Sequence, residues 1–196
     1  MASENNLDPH VSFANLLAPD KLWSRSEILA NPSSIPRKPG VYAWYFLEIP
    51  PNVPINNCHR LNQFTLLYVG IAPRRTNKPT KQNLAARIRY HLSGNAFGST
   101  LRLSLGCLLS QRLNINLLKT GSSERLTFGK DENTLSEWMG VNAYVTWLVW
   151  DEPWIIEEQL IKMLNLPLNL RGNESHPFHP ILAKIRFQCK QRALLK

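Results

Sequence analysis

Two adjacent carboxylates in a predicted helix, Glu157 and Glu158, can be separated by spacing alone. The apolar stripe of that helix is formed by Ile156, Leu160, Met163 and Leu164. Glu157 borders this stripe, whereas Glu158 precedes Lys162 by four residues, the favourable order for a solvated ion pair. A carboxylate beside apolar surface, with no basic partner in its helix, favours a bound cation. We therefore predict that Glu157 binds Mg²⁺ or Mn²⁺ and that Glu158 is a surface residue. The alternative for Glu157 is a plain surface carboxylate.

An arginine and a histidine lie one helical turn apart, at Arg87 and His91. Their helix is predicted to begin with Thr80 as N-cap and to end near Leu92 or Ser93, before Gly94. Both side chains lie beside the apolar stripe, where the helix meets a sheet. At such a rim a guanidinium can bind a phosphate through two hydrogen bonds while its stem stays packed. The alternative is an ordinary surface arginine and a structural histidine.

Two predicted strands, Gly40–Glu48 and Phe64–Gly70, each contribute a tyrosine. Side chains alternate along a strand, so Tyr42 should share its face with Trp44 and Phe46. By the same rule Tyr68 should share its face with Leu66. An antiparallel pairing of the strands would bring both hydroxyls to one site. Beside a metal-bound phosphodiester, a phenol can accept or relay the proton of an attacking water. Buried structural tyrosines are the alternative.

The charge of the chain is uneven. With 23 Lys and Arg against 14 Asp and Glu, the net charge is +9, which favours an anionic partner, nucleic acid first. Residues 49–123 contain no carboxylate, and residues 131–158 contain seven carboxylates but no Lys or Arg. We predict that phosphates are bound by Arg74, Arg75, Lys78, Lys81, Arg89, Lys184, Arg186 and Lys190. The alternative is that the net charge serves solubility.

Length and composition exclude several classes of protein. The 196 residues suit one domain with decorations, and no apolar run approaches the roughly 20 residues of a membrane span. The first six residues lack the basic and apolar regions of a secretory signal. Three distant cysteines, Cys58, Cys107 and Cys189, fit neither a disulfide framework nor a zinc site. We therefore expect a cytoplasmic protein with no membrane partner.

The pattern of elements predicts an α+β fold in which a small three-stranded, mixed or antiparallel sheet is flanked by helices. We divide the chain into a lead-in at 1–39, a central domain at 40–170 with insertions at 49–63 and 94–142, and a basic helical extension at 171–196. Further helices are expected near 19–30, 99–113, 133–139, 154–164 and 181–194, and further strands near 116–120, 125–128 and 143–150.

Five features occur in one order and together resemble the GIY-YIG nuclease family. Gly40-Val41-Tyr42 resembles its GIY element and Tyr68-Val69-Gly70 its YIG element. The segment Leu84–Arg87 is similar to the one that bears the family's arginine. Residues 156–162 are similar to the metal-glutamate helix of excision-repair incision nucleases, and Asn169 falls where those enzymes place an asparagine. The resemblance covers residues 39–93 and 143–170.

The resemblance implies metal-dependent hydrolysis of nucleic acid, with DNA as the substrate. Glu157 would hold a single Mg²⁺ or Mn²⁺ ion, and Arg87 would neutralise charge on the phosphoryl oxygens. Tyr42 would act as general base or relay, while Tyr68 and His91 would orient water or share protons. The asparagine would hold the site together by hydrogen bonds. The family also implies products with a 5′-phosphate and a 3′-hydroxyl.

Two departures from the family pattern concern the first half of the chain. The repair enzymes carry a lysine shortly after YIG, where this chain has Ile71-Ala72-Pro73, so that role is vacant or is filled by a neighbour such as Arg74. The spacer between GIY and YIG is also longer than the usual ten or so residues. Two alternatives stay open: an inactive nucleic-acid-binding module, and a nuclease for single-stranded or branched DNA or for RNA.

Overall fold

The computed structural model describes residues 9–75, 82–121 and 125–195, with side chains described from Phe13 onward. The helices in these ranges are α1 (Pro9–Leu17), α2 (Arg25–Ala30), α3 (Leu84–Ser93), α4 (Thr100–Leu113), α5 (Glu132–Asn142), α6 (Pro153–Met163) and α7 (His179–Leu194). The strands are β1 (Gly40–Phe46), β2 (Arg60–Leu61), β3 (Phe64–Ala72), β4 (Leu118–Thr120), β5 (Arg125–Thr127) and β6 (Ala143–Val149).

The main sheet has four strands in the order β2-β3-β1-β6, and all of its neighbours are antiparallel. The α+β class is confirmed, but the expected number of three strands is wrong. The additional strand, β2, lies in the segment predicted as a loop insertion at 49–63. It pairs only Arg60 and Leu61 with the start of β3, across a turn in which Asn62 has a φ of 53°. A strand of two residues leaves no alternating pattern to recognise.

The central strand β1 is buried along its whole length, as its aromatic and β-branched sequence predicts. The even-numbered side chains from Tyr42 to Phe46 face the larger core, which they share with α3, α4, α5 and α7. The odd-numbered side chains from Val41 to Tyr45 face a smaller core built with α1 and α6. The sheet therefore carries helices on both faces, with α3 and α6 on opposite sides.

A β-bulge interrupts the pairing of β1 with β3 and changes the face of one tyrosine. Trp44 pairs with Tyr68, but the next residue, Tyr45, pairs with Leu66. Alternation is therefore shifted by one residue, and Leu66 belongs to the smaller core while Tyr68 packs against the larger one. The prediction that Tyr68 shares a face with Leu66 is wrong. The bulge places Tyr68 on the same face as Tyr42.

Helix boundaries follow local capping. Helix α3 begins at Leu84 because the Asn83 side chain accepts a hydrogen bond from the Ala86 N–H, and it ends before Gly94 as predicted. The predicted cap Thr80 lies outside the described residues. Helix α2 is shorter than expected, since a capping box of Ser24 and Glu27 fixes its start at Arg25. Helix α1 was not expected from the sequence.

The remaining elements agree with the sequence pattern to within a few residues. Strands β4 and β5 form their own two-stranded sheet, as predicted. The proposed division at residues 39/40 and 170/171 stays a prediction. Among the described residues, no helix is both long enough and apolar enough to cross a membrane.

Candidate active site

One cleft brings together residues that are up to 148 positions apart in the chain, from Tyr42 to Lys190. Its volume is about 590 Å³, and it lies beside β3, between α6, α7 and the segment 168–172. Five of the six predicted catalytic residues line it: Tyr42, Tyr68, Arg87, Glu157 and Asn169. The sixth, His91, is fully buried behind Tyr42 and is not part of the wall. The strands, α3 and α6 thus meet where the sequence motifs predict a common site.

Tyr42 reaches the cleft because the residue opposite it is glycine. Tyr42 on β1 pairs with Gly70 on β3, and the phenol ring lies over that position. A Cβ on Gly70 would lie 2.5 Å from the Tyr42 hydroxyl oxygen, closer than any side chain permits. Glycine is therefore required so that the ring can lie against the strand. This is a physical reason for the last residue of the Tyr68-Val69-Gly70 motif.

A chain of hydrogen bonds leads from Tyr42 into the core. Its hydroxyl oxygen lies 2.8 Å from Nε2 of His91, and Nδ1 of His91 lies 2.7 Å from the Ser99 hydroxyl oxygen. That oxygen also accepts a hydrogen bond of 3.1 Å from the Arg102 N–H at the start of α4. Ser99 is the N-cap of α4, so this helix fixes the imidazole from behind. His91 is therefore placed to position Tyr42 and not to touch a substrate.

Burial keeps both ends of the Tyr42–His91 hydrogen bond uncharged. Burial, with a smaller contribution from Tyr68, raises the pKa of Tyr42 above its usual range, although the nearby Arg87 guanidinium opposes this. Burial also lowers the pKa of His91 well below its usual value, and the positive charges of Arg87 and Arg102 add to that effect. At neutral pH the bond therefore joins a neutral phenol and a neutral imidazole.

A buried ion pair supports this arrangement from the far side. The Arg102 side chain is fully buried and donates to Glu132 Oε2 through Nη2 at 2.6 Å and through Nε at 3.0 Å. Its Nη1 donates to the backbone carbonyl of His91 at 3.1 Å. Nη2 and Nε both donate to one carboxylate oxygen, and an ion pair with such additional hydrogen bonds is the arrangement in which a buried charge is tolerated. Arg102 thus ties α4 and α5 to the end of α3.

Arg87 presents a donor without an acceptor. Its side chain is buried, and Nη1 donates to the Gly98 carbonyl at 2.7 Å in the connection between α3 and α4. Its Nε is also buried and has no hydrogen-bond partner among the described residues. Buried polar groups in proteins are almost always paired, so an orphaned N–H in a cleft wall indicates a place for an acceptor. Phosphate and carboxylate oxygens are the acceptors with which a guanidinium forms its strong, charge-assisted hydrogen bonds.

Glu157 presents a carboxylate without a donor. It projects from α6 into the cleft and forms no hydrogen bond or ion pair with any described residue. Burial raises the pKa of Glu157 to about 7, and the positive charges of Arg171 and Arg74 limit that rise. Among the described residues there is no cluster of three or more His, Cys, Asp or Glu side chains that could hold a metal. The donor set therefore fits an ion that accepts one carboxylate together with waters and phosphate, as Mg²⁺ does.

Glu158 differs from its prediction in two respects. It is exposed, as expected, but it also lines the cleft beside Glu157. The three ion pairs within the described ranges are Lys21–Glu27, Arg102–Glu132 and Arg112–Glu48, so the expected pair with Lys162 is absent there. Four-residue spacing permits such a pair but contributes only a few tenths of a kcal/mol, about the amount that solvent competes away.

The predicted phosphate-binding residues divide into two groups. Four line the cleft: Arg74, Arg75, Arg186 and Lys190. Arg89 and Lys184 do not, and Arg89 instead donates to the Ala85 carbonyl of its own helix at 3.0 Å. Lys78 and Lys81 lie outside the described residues. Arg74, the expected substitute for the missing lysine after YIG, is close enough to Glu157 to lower its pKa.

The sequence reasoning missed Arg171, which also lines the cleft. It lies in the irregular segment after α6, where no periodic pattern indicates which way a side chain points. The only signal was its position two residues after Asn169.

Asn169 completes the open edge of β3. Its Nδ2 donates to the Val69 carbonyl at 2.9 Å, and its Oδ1 accepts from the Val69 N–H at 2.9 Å. The side-chain amide thus pairs both backbone groups of Val69, as a neighbouring strand would. Because Tyr68 and Gly70 flank Val69, this pairing holds the part of β3 that lines the cleft to the segment that follows α6.

Asn169→Ala should therefore destabilise the fold by about 2 kcal/mol, since two buried backbone groups of Val69 lose their partners. Chemical denaturation would measure the loss, and amide exchange at Val69 should become faster. The matched control is Asn133→Ala on the exposed side of α5, where the change should be within about 0.5 kcal/mol. Equal stability of the two variants would contradict this role for Asn169.

Comparison with known proteins agrees with this geometry. The chain matches the family model described as the GIY-YIG catalytic domain over residues 40–190, well over half of its length. The chain therefore belongs to the GIY-YIG family, which confirms the resemblance drawn from the motifs. GIY-YIG nucleases act on nucleic acid and generally use divalent metal ions. No curated protein and no solved structure matches the chain.

Proposed function

We propose that this protein is an endonuclease that hydrolyses phosphodiester bonds in DNA with one divalent ion, Mg²⁺ or Mn²⁺. The observation that carries the proposal is that two unpartnered groups of opposite charge meet in one cleft, the Glu157 carboxylate and the Arg87 Nε–H. A cation and a phosphate would supply their missing partners. Membership of a nuclease family supports the same reaction class.

Charge stabilisation is divided between the ion and the arginines. Held by Glu157, the ion would polarise the scissile phosphate and stabilise the leaving oxygen. Arg87 would donate to the phosphoryl oxygens, because its guanidinium is already fixed by Gly98 and need not reorganise. Arg74 and Arg171, which face Glu157, would attract the substrate backbone into the same region.

Proton transfer is assigned to Tyr42 and His91. A neutral phenol can take a proton from water only if it passes its own proton on, and Nε2 of His91 is the atom in reach. In this scheme Nδ1–H of His91 donates to Ser99, which leaves Nε2 free to accept. Burial, and then the charges of Arg87 and Arg102, would disfavour the imidazolium, and negative charge growing on the phosphate would offset part of that cost. Tyr68, in the cleft wall, would orient the water.

The test is a panel of labelled single-stranded, duplex and branched DNA, with matching RNA, incubated with Mg²⁺, Mn²⁺ or EDTA. The proposal predicts cleavage of DNA that requires the ion and leaves a 5′-phosphate. A folded protein that binds DNA but cuts none of these substrates would instead be a binding module, and the proposal would be wrong. Cleavage confined to RNA would overturn the choice of DNA.

DNA binding should depend on the basic residues of α7 that line the cleft and not on the basic residues elsewhere on that helix. Arg186→Gln should weaken DNA binding severalfold and lower the slope of log K against log salt by about one. Lys184→Gln is the matched control, because Lys184 is an exposed cation of α7 outside the cleft. Fluorescence anisotropy at several salt concentrations would measure both. Identical salt slopes for the two variants would place the bound phosphates outside the cleft.

A further inference from the structure

Two aromatic side chains line the cleft without a part in the proposed chemistry. Phe187 of α7 is 60% exposed, although it is a large apolar residue. Trp154 of α6 is half-buried: it packs partly against the smaller core, and it also lines the cleft. Packing explains part of the position of Trp154 but not the exposure of Phe187. Single exposed apolar residues are common on protein surfaces, so the exposure of Phe187 becomes informative only together with the charged groups that line the same cleft.

The exposed ring belongs to a continuous face of α7. Ala183, Arg186, Phe187 and Lys190 all line the cleft, and their spacing of three, four and seven residues places them on one side of the helix. This face presents one aromatic ring between two cations. The guanidinium of Arg75, in the segment after β3, lies 5.7 Å from the centre of the Trp154 ring of α6. Each of the two rings therefore lies beside positive charge, Phe187 beside cations of its own helix and Trp154 beside Arg75.

Aromatic faces interleaved with cations are suited to single-stranded nucleic acid, because bases stack on the rings while phosphates meet the charges. In a duplex the base faces are already covered by neighbouring base pairs. The cleft volume of about 590 Å³ is within the range of pockets for small ligands and is sufficient for one or two nucleotides of a single strand.

We propose that the cleft binds DNA as a single strand, with a nucleobase beside the scissile phosphate stacked on Phe187 and a neighbouring base against Trp154. The phosphates on either side of the stacked bases are bound by the cations beside the two rings, Arg75, Arg186 and Lys190. This inference rests on the proposed nuclease function and adds the form in which the substrate enters. Phe187 is then a residue that determines specificity, and it takes no part in proton transfer or in metal binding.

The experiment measures binding by fluorescence anisotropy in EDTA, so that no metal-dependent cleavage occurs. The probes are a short labelled single strand, the same strand in a duplex, and the same strand without bases at its central positions. Phe187→Ala should bind the single strand about tenfold more weakly than wild type and the duplex within about twofold. Phe187→Tyr should restore binding. Ile181→Ala is the matched control, because Ile181 is also an exposed apolar residue of α7 but lies outside the cleft.

Removal of the bases gives a second, independent readout. Wild type and Phe187→Ala should bind the strand with abasic positions equally, since no base remains to stack. The proposal is overturned if Phe187→Ala binds the intact single strand as tightly as wild type does. It is also overturned if the affinity for the duplex falls by the same factor as the affinity for the single strand. If Mg²⁺-dependent cleavage by wild type persists in that case, the nuclease assignment stands while the stacking proposal falls. If wild type cleaves nothing but the loss specific to single strands is found, the stacking proposal stands and the nuclease assignment falls.

Discussion

Glu157→Gln is expected to lower the rate of Mg²⁺-dependent DNA cleavage by about a thousandfold or more. Glutamine preserves the size of the side chain but removes the negative charge that would hold the ion, and the ion supplies several kcal/mol of charge stabilisation in such reactions. The matched control is Glu158→Gln, the next residue of α6, which also lines the cleft but is exposed. It should retain activity within a few-fold. Equal losses for the two variants would contradict the assignment of Glu157 as the ligand.

Stability measurements can show that the loss of cleavage activity in Glu157→Gln is not caused by misfolding. Burial raises the pKa of the Glu157 carboxyl from its ordinary 4.5 to about 7, so its ionised form opposes folding. That cost is absent below about pH 4.5, grows as the pH rises, and is complete above about pH 7. In EDTA, Glu157→Gln should therefore be more stable than wild type by about 1–3 kcal/mol near pH 8, and equally stable near pH 4.5. A less stable variant at both pH values would point to a structural role.

Tyr42→Phe should reduce cleavage by about 10²- to 10⁴-fold at saturating DNA, the range for loss of a general base or relay. The phenyl ring keeps its place over Gly70, so the change is confined to the hydroxyl and its 2.8 Å hydrogen bond to His91. DNA affinity should stay within a few-fold, because the basic wall of the cleft is untouched. Single-turnover cleavage with excess enzyme would separate the chemical step from binding.

Tyr90→Phe is the control for the Tyr42 variant. The Tyr90 hydroxyl donates to the Asn95 side chain at 3.0 Å, and this residue of α3 does not line the cleft. Both substitutions remove one hydroxyl and one hydrogen bond, so Tyr90→Phe shows how much cleavage changes when a hydroxyl outside the cleft is lost. Cleavage by Tyr42→Phe within about threefold of the control would show that the phenol does not carry the proton.

Local sequence signals were sufficient for most of the elements. The run of aromatic and β-branched residues after Gly40 predicts a strand that is buried on both faces, and β1 is such a strand. The bulge in β3 had no such signal, because it arises from how β3 pairs with β1 and not from either strand alone. The face of Tyr68 was therefore predicted incorrectly although the strand itself was predicted correctly. Strand β2 was not predicted for a related reason. Its two residues owe their conformation to the turn at Asn62.

The candidate site shows the same division between local and tertiary information. Spacing separated Glu157 from Glu158 and placed Arg87 at the rim of α3, where the structure has it. Spacing could not show that His91 lies behind Tyr42, or that Ser99 and Arg102 support it, because those contacts join α3 to α4 and α5. The side of α7 that lines the cleft could not be predicted either, because basic residues lie on several sides of this helix.

The most direct measurement is the binding of Mn²⁺, followed by electron paramagnetic resonance, with DNA present under conditions that prevent turnover. Wild type and Glu158→Gln should each bind one ion, and more tightly with DNA than without, because phosphate oxygens complete the ligand set around a single carboxylate. At the Mn²⁺ concentrations that saturate wild type, Glu157→Gln should bind no ion. Undiminished Mn²⁺ binding by Glu157→Gln would show that the cation and the phosphate do not meet at this carboxylate.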